Sequence, residues 1–206
     1  MFGFSTKTAV TKELKLSDLF RQMNASREVK RDAANVEKVT LISVISPLTL
    51  NCEPNKTVKE IYVIEIVLSI GVLPELFIKE LDKSIKLHTL FIIRHGDYEV
   101  DMMSYKLGTQ KGKYYKTNWE KTEIKAVPVV TNVPDAYKYL LSTFMQYPPK
   151  GVETPEEYIK RNNALNKLDF QIGKLQSAVA NEKESKKKFE YNAKLKDYIA
   201  QRETLL

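Results

Sequence analysis

Cysteine is almost absent from this chain: Cys52 stands alone among 206 residues. A disulfide framework within one chain is thereby excluded, as is a zinc site built on cysteines. Histidine is nearly as scarce, with only His88 and His95, so a multi-histidine metal site is excluded too. No stretch reaches the roughly 18–20 apolar residues of a membrane-spanning helix. Residues Met1 to Thr11 show no apolar run of the signal-peptide kind. A reducing cytoplasm is therefore the expected location, with no membrane partner, and the sequons at Asn24 and Asn55 would be silent there. No motif implies a cofactor.

What is present is enough for a core and an appendage. Apolar residues make up 43% of the chain and charged residues 29%, the latter slightly above the globular norm of about 25%. The surplus fits a long exposed helix. A net charge of +7 permits an acidic partner such as nucleic acid without requiring one.

The apolar patterning predicts an α+β fold, with a mixed or antiparallel sheet core and flanking helices. Leu16 to Ala34 reads as helix, with Ser17 as cap and Phe20 and Met23 on one face. Val36 to Leu50 reads as a strand with a bend near Pro47. The unbroken run Ile61 to Leu68 suggests a strand covered on both faces. Pro74 opens a helix marked by Phe77, Leu81 and Ile85, and Leu87 to Ile93 is strand-like again. The turn His95-Gly96-Asp97 returns the chain along Tyr98 to Leu107. A short strand is expected over Ala126 to Val130, then a helix from Pro134 that Pro148-Pro149 stops. The core domain is thus residues 1–148.

Residues 149–206 are expected to form one long coiled-coil helix. Thr154, Pro155 and Glu157 supply its cap, first turn and capping box. Gly173 is the only glycine and no proline follows. Leu168, Ile172, Leu175 and Val179 are spaced four, three, four, which is a helix-pairing seam. Leu195, Ile199, Arg202 and Leu206 repeat that spacing, displaced by one residue. The polar stretch Asn181 to Lys188 between them fits either a helical-hairpin turn or a continuous helix, and its lack of Gly and Pro favours continuity. A homodimer through this helix is one expected use of the seam.

Chemistry-bearing constellations are few. Glu65 lies mid-strand on a face with Ile61, Val63 and Val67, where a carboxylate is costly unless paired. It is the one candidate for a metal-dependent nuclease centre. Val67 stands where such a centre would have lysine, so a paired structural glutamate is preferred. Asp97, Glu99 and Asp101 alternate on one strand and are expected to form a solvent face. Gly108 to Lys113 resembles a phosphate-binding P-loop, but it is one residue short and Tyr114 replaces the Ser/Thr that would hold Mg²⁺.

The same stretch has more promise as a nucleic-acid surface. Lys111, Lys113, Lys116 and Lys121 interleave with Tyr114, Tyr115 and Trp119. Cations for phosphates and rings for stacking are what single-stranded nucleic-acid binding uses.

Several segments in order resemble a bacterial family known only as domain of unknown function family 4391. They are Phe2-Gly3-Phe4, Ser46 to Asn51, Tyr62 to Ile66, Tyr114 to Trp119, Glu182-Lys183 and Phe189 to Leu195. The resemblance implies a setting beside helicases and DNA methyltransferases, in phage defence or restriction-modification. It carries over no catalytic residue. The expectation is a non-catalytic adaptor whose core docks such a protein.

Overall fold

A computed structural model describes residues 1–206 except 1, 4, 5, 107–111, 124 and 127–129. The chain divides into two compact units, residues 1–144 and 145–206.

The first unit is a mixed α+β sheet domain. Its strands are β1 (Phe2–Gly3), β2 (Ala9–Glu13), β3 (Val36–Ile45), β4 (Ile61–Leu68), β5 (His88–His95), β6 (Tyr98–Ser104), β7 (Tyr114–Lys116), β8 (Glu120–Lys121) and β9 (Lys125–Ala126). Its helices are α1 (Leu16–Met23), α2 (Arg27–Asp32), the single turn α3 (Pro47–Leu50), α4 (Glu75–Ser84) and α5 (Val133–Ser142). Seven strands form one sheet in the order β2-β3-β4-β5-β6-β7, with β8 also pairing β6. Among the described residues only β4 and β5 run parallel in it, as α4 crosses over between them. β1 and β9 form a separate parallel pair.

Local sequence explains most of these boundaries. β4 coincides with the unbroken apolar run, and its alternate residues are covered on both faces. Ser46 and Thr49 close a capping box around Pro47, so the expected bend is a full helical turn. The N-terminal helical region is two helices, because Asn24 adopts a left-handed conformation after α1 and Ser26 caps α2. Ser17 is not the cap: α1 begins at Leu16, and Lys15 occupies the cap position without a side-chain bond. α4 takes its cap from elsewhere, since the Asp32 carboxylate accepts the Phe77 N–H at 2.8 Å.

Leu19, Val29, Phe77, Ile78 and Leu81 cover Ile64, Ile66, Phe91, Ile93 and Met102 on one sheet face. Phe20 meets Phe77 edge-to-face at 6.1 Å. α5 reaches the sheet through Tyr137, whose ring lies 4.4 Å from His88.

The second unit corrects the single long helix. α6 (Pro155–Asn181) and α7 (Ser185–Leu205) are separate, with Glu182 in extended conformation between them. The Glu182 carboxylate accepts the backbone N–H groups of Lys183 and Glu184, both at 2.9 Å, and so replaces helical bonds locally. α7 then folds back along α6 as a helical hairpin, with Tyr198 and Leu205 beside Ala164 and Leu168. The α6 start carries the expected Thr154–Glu157 capping box. No described helix is long and apolar enough to cross a membrane.

Candidate functional site

Strand register assembles a charged group that no local pattern announces. Glu65 on β4 is aligned with Ile92 on β5, and Ile92 with Asp101 on β6. Arg94 is aligned with Glu99 one step along. Diagonal neighbours on a sheet lie about 7–8 Å apart, within reach of long side chains. Arg94 accordingly meets Glu65 at 2.7 Å and Glu99 at 3.7 Å. Glu99 and Asp101 are buried, so the expected solvent face is an interior one. Glu65 is thus a paired glutamate. Among the described residues no three Asp, Glu, His or Cys side chains are placed to hold a metal ion.

A second polar group closes the end of α4. The Lys106 ammonium lies 2.8 Å from the Asp82 carboxylate and donates to the carbonyls of Asp82, Ile85 and Leu87 at 2.7–2.9 Å. It therefore satisfies carbonyls in the last turn of that helix and just beyond it. Ser104 and Tyr114 both donate to the other Asp82 oxygen. Burial lowers the Lys106 pKa, and Asp82 opposes that shift. Burial, then Asp82, raises that of Tyr114.

This arrangement absorbs much of the basic aromatic segment. Lys111 lies outside the described residues. Lys113 sits over the buried Tyr115 ring at 5.0 Å, and Lys116 pairs with Glu75. Trp119 is half-buried against the main apolar cluster, and Lys121 lies exposed on β8 opposite Tyr98. Tyr105 and Tyr115 are buried, and the Tyr114 hydroxyl is held by Asp82. The structure thus ties Lys113 to a ring and Lys116 to α4, leaves Lys121 exposed, and turns most of the rings inward.

The seam residues on α6 face α7. Ile172 is buried, and Leu168, Leu175 and Val179 are half-buried. On α7 the half-buried residues are Tyr191, Asn192, Leu195, Tyr198, Arg202 and Leu205, whereas Ile199 is exposed. The α7 phase runs through Tyr198 rather than Ile199, because an aromatic ring fills the seam position that β-branched counting assigns one residue later.

A surface unmarked by sequence lies at the other end of α4. Ile70 and Val72, between β4 and α4, are 55% and 63% exposed, and Leu76 is 39% exposed beside them. Their loop is not slack. The Asn35 amide donates to the carbonyls of Ile70 and Val72 at 3.3 and 2.6 Å, and Asn35's own carbonyl accepts from Ser69 N–H at 2.9 Å. Gly71 lies against the His95 ring, where an added Cβ would come within 3.2 Å of it. The three apolar side chains border a groove rimmed by Glu28, Arg31 and Asp32. The only prior signal was Ile-Gly-Val after an apolar strand, which reads as a plain break.

Fold and surfaces together define a mixed-sheet α+β protein with a C-terminal helical hairpin and a fixed apolar loop. The chain belongs to the family described as a domain of unknown function (DUF4391), whose model matches residues 2–201. No curated protein and no solved structure matches it.

Proposed function

We propose that this protein is a non-catalytic adaptor acting through protein–protein contact, with the Ile70–Val72–Leu76 groove as its docking surface. The observation that carries this reading is the pinned loop. Two large apolar side chains are held in water by a backbone whose carbonyls at Ile70 and Val72 both accept from the Asn35 amide. Exposed apolar groups on an ordered loop add binding energy without an ordering cost at association. The helical seam is closed within the hairpin, so the contact that the adaptor role needs falls to the sheet unit.

The partner is a helicase or DNA methyltransferase of a bacterial defence system, the setting that the family resemblance suggests. The test is co-purification with the products of the neighbouring genes. Wild type is expected to retain one of them, and the double variant I70E/V72E is expected to lose it while keeping its circular-dichroism spectrum and melting temperature. Equal retention by the folded double variant, or no retention by wild type, overturns the reading.

A further inference from the structure

The hairpin leaves one flank of its seam open. A groove of about 540 Å³ runs there between α6 and α7, lined by Ala164, Leu168, Gln171, Tyr198, Gln201 and Leu205. Leu168, Tyr198 and Leu205 are only half-buried, and no residue of the 21-residue α7 is buried. Two helices alone have no layer to close over such a flank. A second pair supplies one, as in a four-helix bundle.

The two edges of the groove carry opposite charge. Lys167 lines the α6 edge, and Lys174 follows it by one heptad. On the α7 edge Asp197 lies one turn before Gln201, and Glu190 lies one heptad before Asp197, with Lys194 between them. Lys174 and Asp197 are both exposed. Lys174 lies over the Phe170 ring at 5.4 Å, and Asp197 accepts from the Gln201 amide at 2.9 Å, so neither is spent on the other.

We infer that this groove is filled by the same face of a second copy of the chain, the two hairpins packing as a four-helix bundle about a two-fold axis parallel to the helices. Each α6 then runs antiparallel to α7 of the other copy. The charges select this arrangement. A two-fold axis across the helices would instead set α6 against α6 and bring Lys167 and Lys174 against their own copies, which is repulsive.

The register follows from the hairpin itself. Arg202 meets Asp169 across it. Counting five residues forward on α6 and five back on α7 places Lys174 level with Asp197. Rotation about an axis parallel to the helices preserves level, so Lys174 of each copy is level with Asp197 of the other. Gln171 and Gln201 line the groove at one level, and four glutamines meet there in the pair. A polar layer of this kind fixes register at some expense of stability. Leu168, Tyr198 and Leu205 supply the apolar layers on either side.

The area is sufficient for a reversible dimer. Helices overlapping over about 20 residues give a face roughly 30 Å long, and two helices side by side make it about 20 Å wide. The pair then buries about 1,200 Å² in total, the lower end for a specific interface.

Sedimentation equilibrium of the full-length chain between about 1 and 200 µM is expected to show a monomer–dimer equilibrium. K174E and D197K each turn two attractions into two repulsions and are expected to weaken it by about tenfold. The double variant K174E/D197K restores opposite charges across the interface and is expected to recover the dimer. Both positions are exposed, so the circular-dichroism spectrum is expected to hold in every variant. A wild type that stays monomeric throughout the range overturns the inference. So do single variants that associate as wild type does, or a folded double variant that recovers nothing. I70E/V72E is expected to dimerise normally, and loss of the dimer there would assign it to the sheet unit and overturn the inference. The adaptor reading fails separately, through partner retention by that same variant.

Discussion

The Arg202 guanidinium donates to the Asp169 carboxylate at 2.7 Å, linking the last turns of α7 to the middle of α6. The Tyr147 hydroxyl donates to the same carboxylate and accepts from Arg202 at 3.2 Å. A helix without a fully buried side chain depends on such contacts to hold its register.

These bonds predict acid sensitivity in the hairpin. The Tyr147 hydrogen bond, followed by Arg202, holds the Asp169 pKa below its ordinary 3.8, against burial. The folded value is the depressed one, so the contribution is complete above 3.8 and is lost as pH falls below it through the folded value. The protection factors of the Thr204 and Leu205 amides, that is, their exchange rates relative to the intrinsic rate at each pH, are expected to fall on acidification. D169N and R202Q should each produce the lower protection at neutral pH, and the double variant should be no worse than either. Additive effects would show that the pair is not coupled.

The hairpin itself has a geometric signature. In one straight helix, labels at Lys167 and Gln201 would stand about 50 Å apart, at about 1.5 Å per residue. In the folded-back pair these residues border one groove. Double electron–electron resonance between spin labels at the two positions should give one short distance, roughly 20 Å or less allowing for an interaxial separation of about 8–10 Å. A dominant distance near the straight-helix value would refute the hairpin.

The elements that could be read from sequence are those whose signals are local. Ile61 to Leu68 is a strand because eight consecutive residues prefer it, and Thr154 to Glu157 starts a helix through its own side chains. The break at Glu182 was ambiguous because no breaking residue marks it: a glutamate that favours helix bonds to the next two backbone N–H groups instead. The charged group around Arg94 and the capping of α4 by Lys106 join residues whose alignment depends on strand register. Periodicity in a single strand does not carry that information. The apolar loop at Ile70 and Val72 gained its meaning only from Asn35, 35 residues earlier in the chain.

Removing Arg94 tests whether that charged group is structural. Arg94→Met deletes the cation facing Glu65 and Glu99, the latter only 2% exposed. Leaving such a carboxylate without that cation should cost on the order of 3 kcal/mol. Urea unfolding followed by the fluorescence of Trp119, the sole tryptophan, should report this loss in the sheet unit. The double variant E65Q/R94M should recover part of it. An unchanged urea midpoint in Arg94→Met would mean that the ion pairs contribute nothing. DNA cleavage that depends on Mg²⁺ and disappears in E65Q would restore the nuclease reading.

His88 predicts a second pH response, in the sheet unit and at a higher pH. Its folded pKa is about 4 and its ordinary value 6.5, the depression arising first from burial and then from Lys106. Between those values the unfolded chain binds a proton that the folded chain does not. Stability is therefore complete above pH 6.5 and falls as pH drops from 6.5 toward 4. A gap of about 2.5 pH units at about 1.4 kcal/mol per unit amounts to roughly 3 kcal/mol across the window. Urea midpoints read from Trp119 at intervals between pH 7 and pH 4 should trace this decline. His88→Phe keeps a ring against Tyr137 and removes the titrating nitrogen, so its profile should be flatter above pH 5, where carboxylates contribute little. A wild-type midpoint that holds constant from pH 6.5 to 5 would show that the ring takes up its proton in the folded state. Asp82, which opposes the depression and lies in the same polar group, would then be the group compensating that charge.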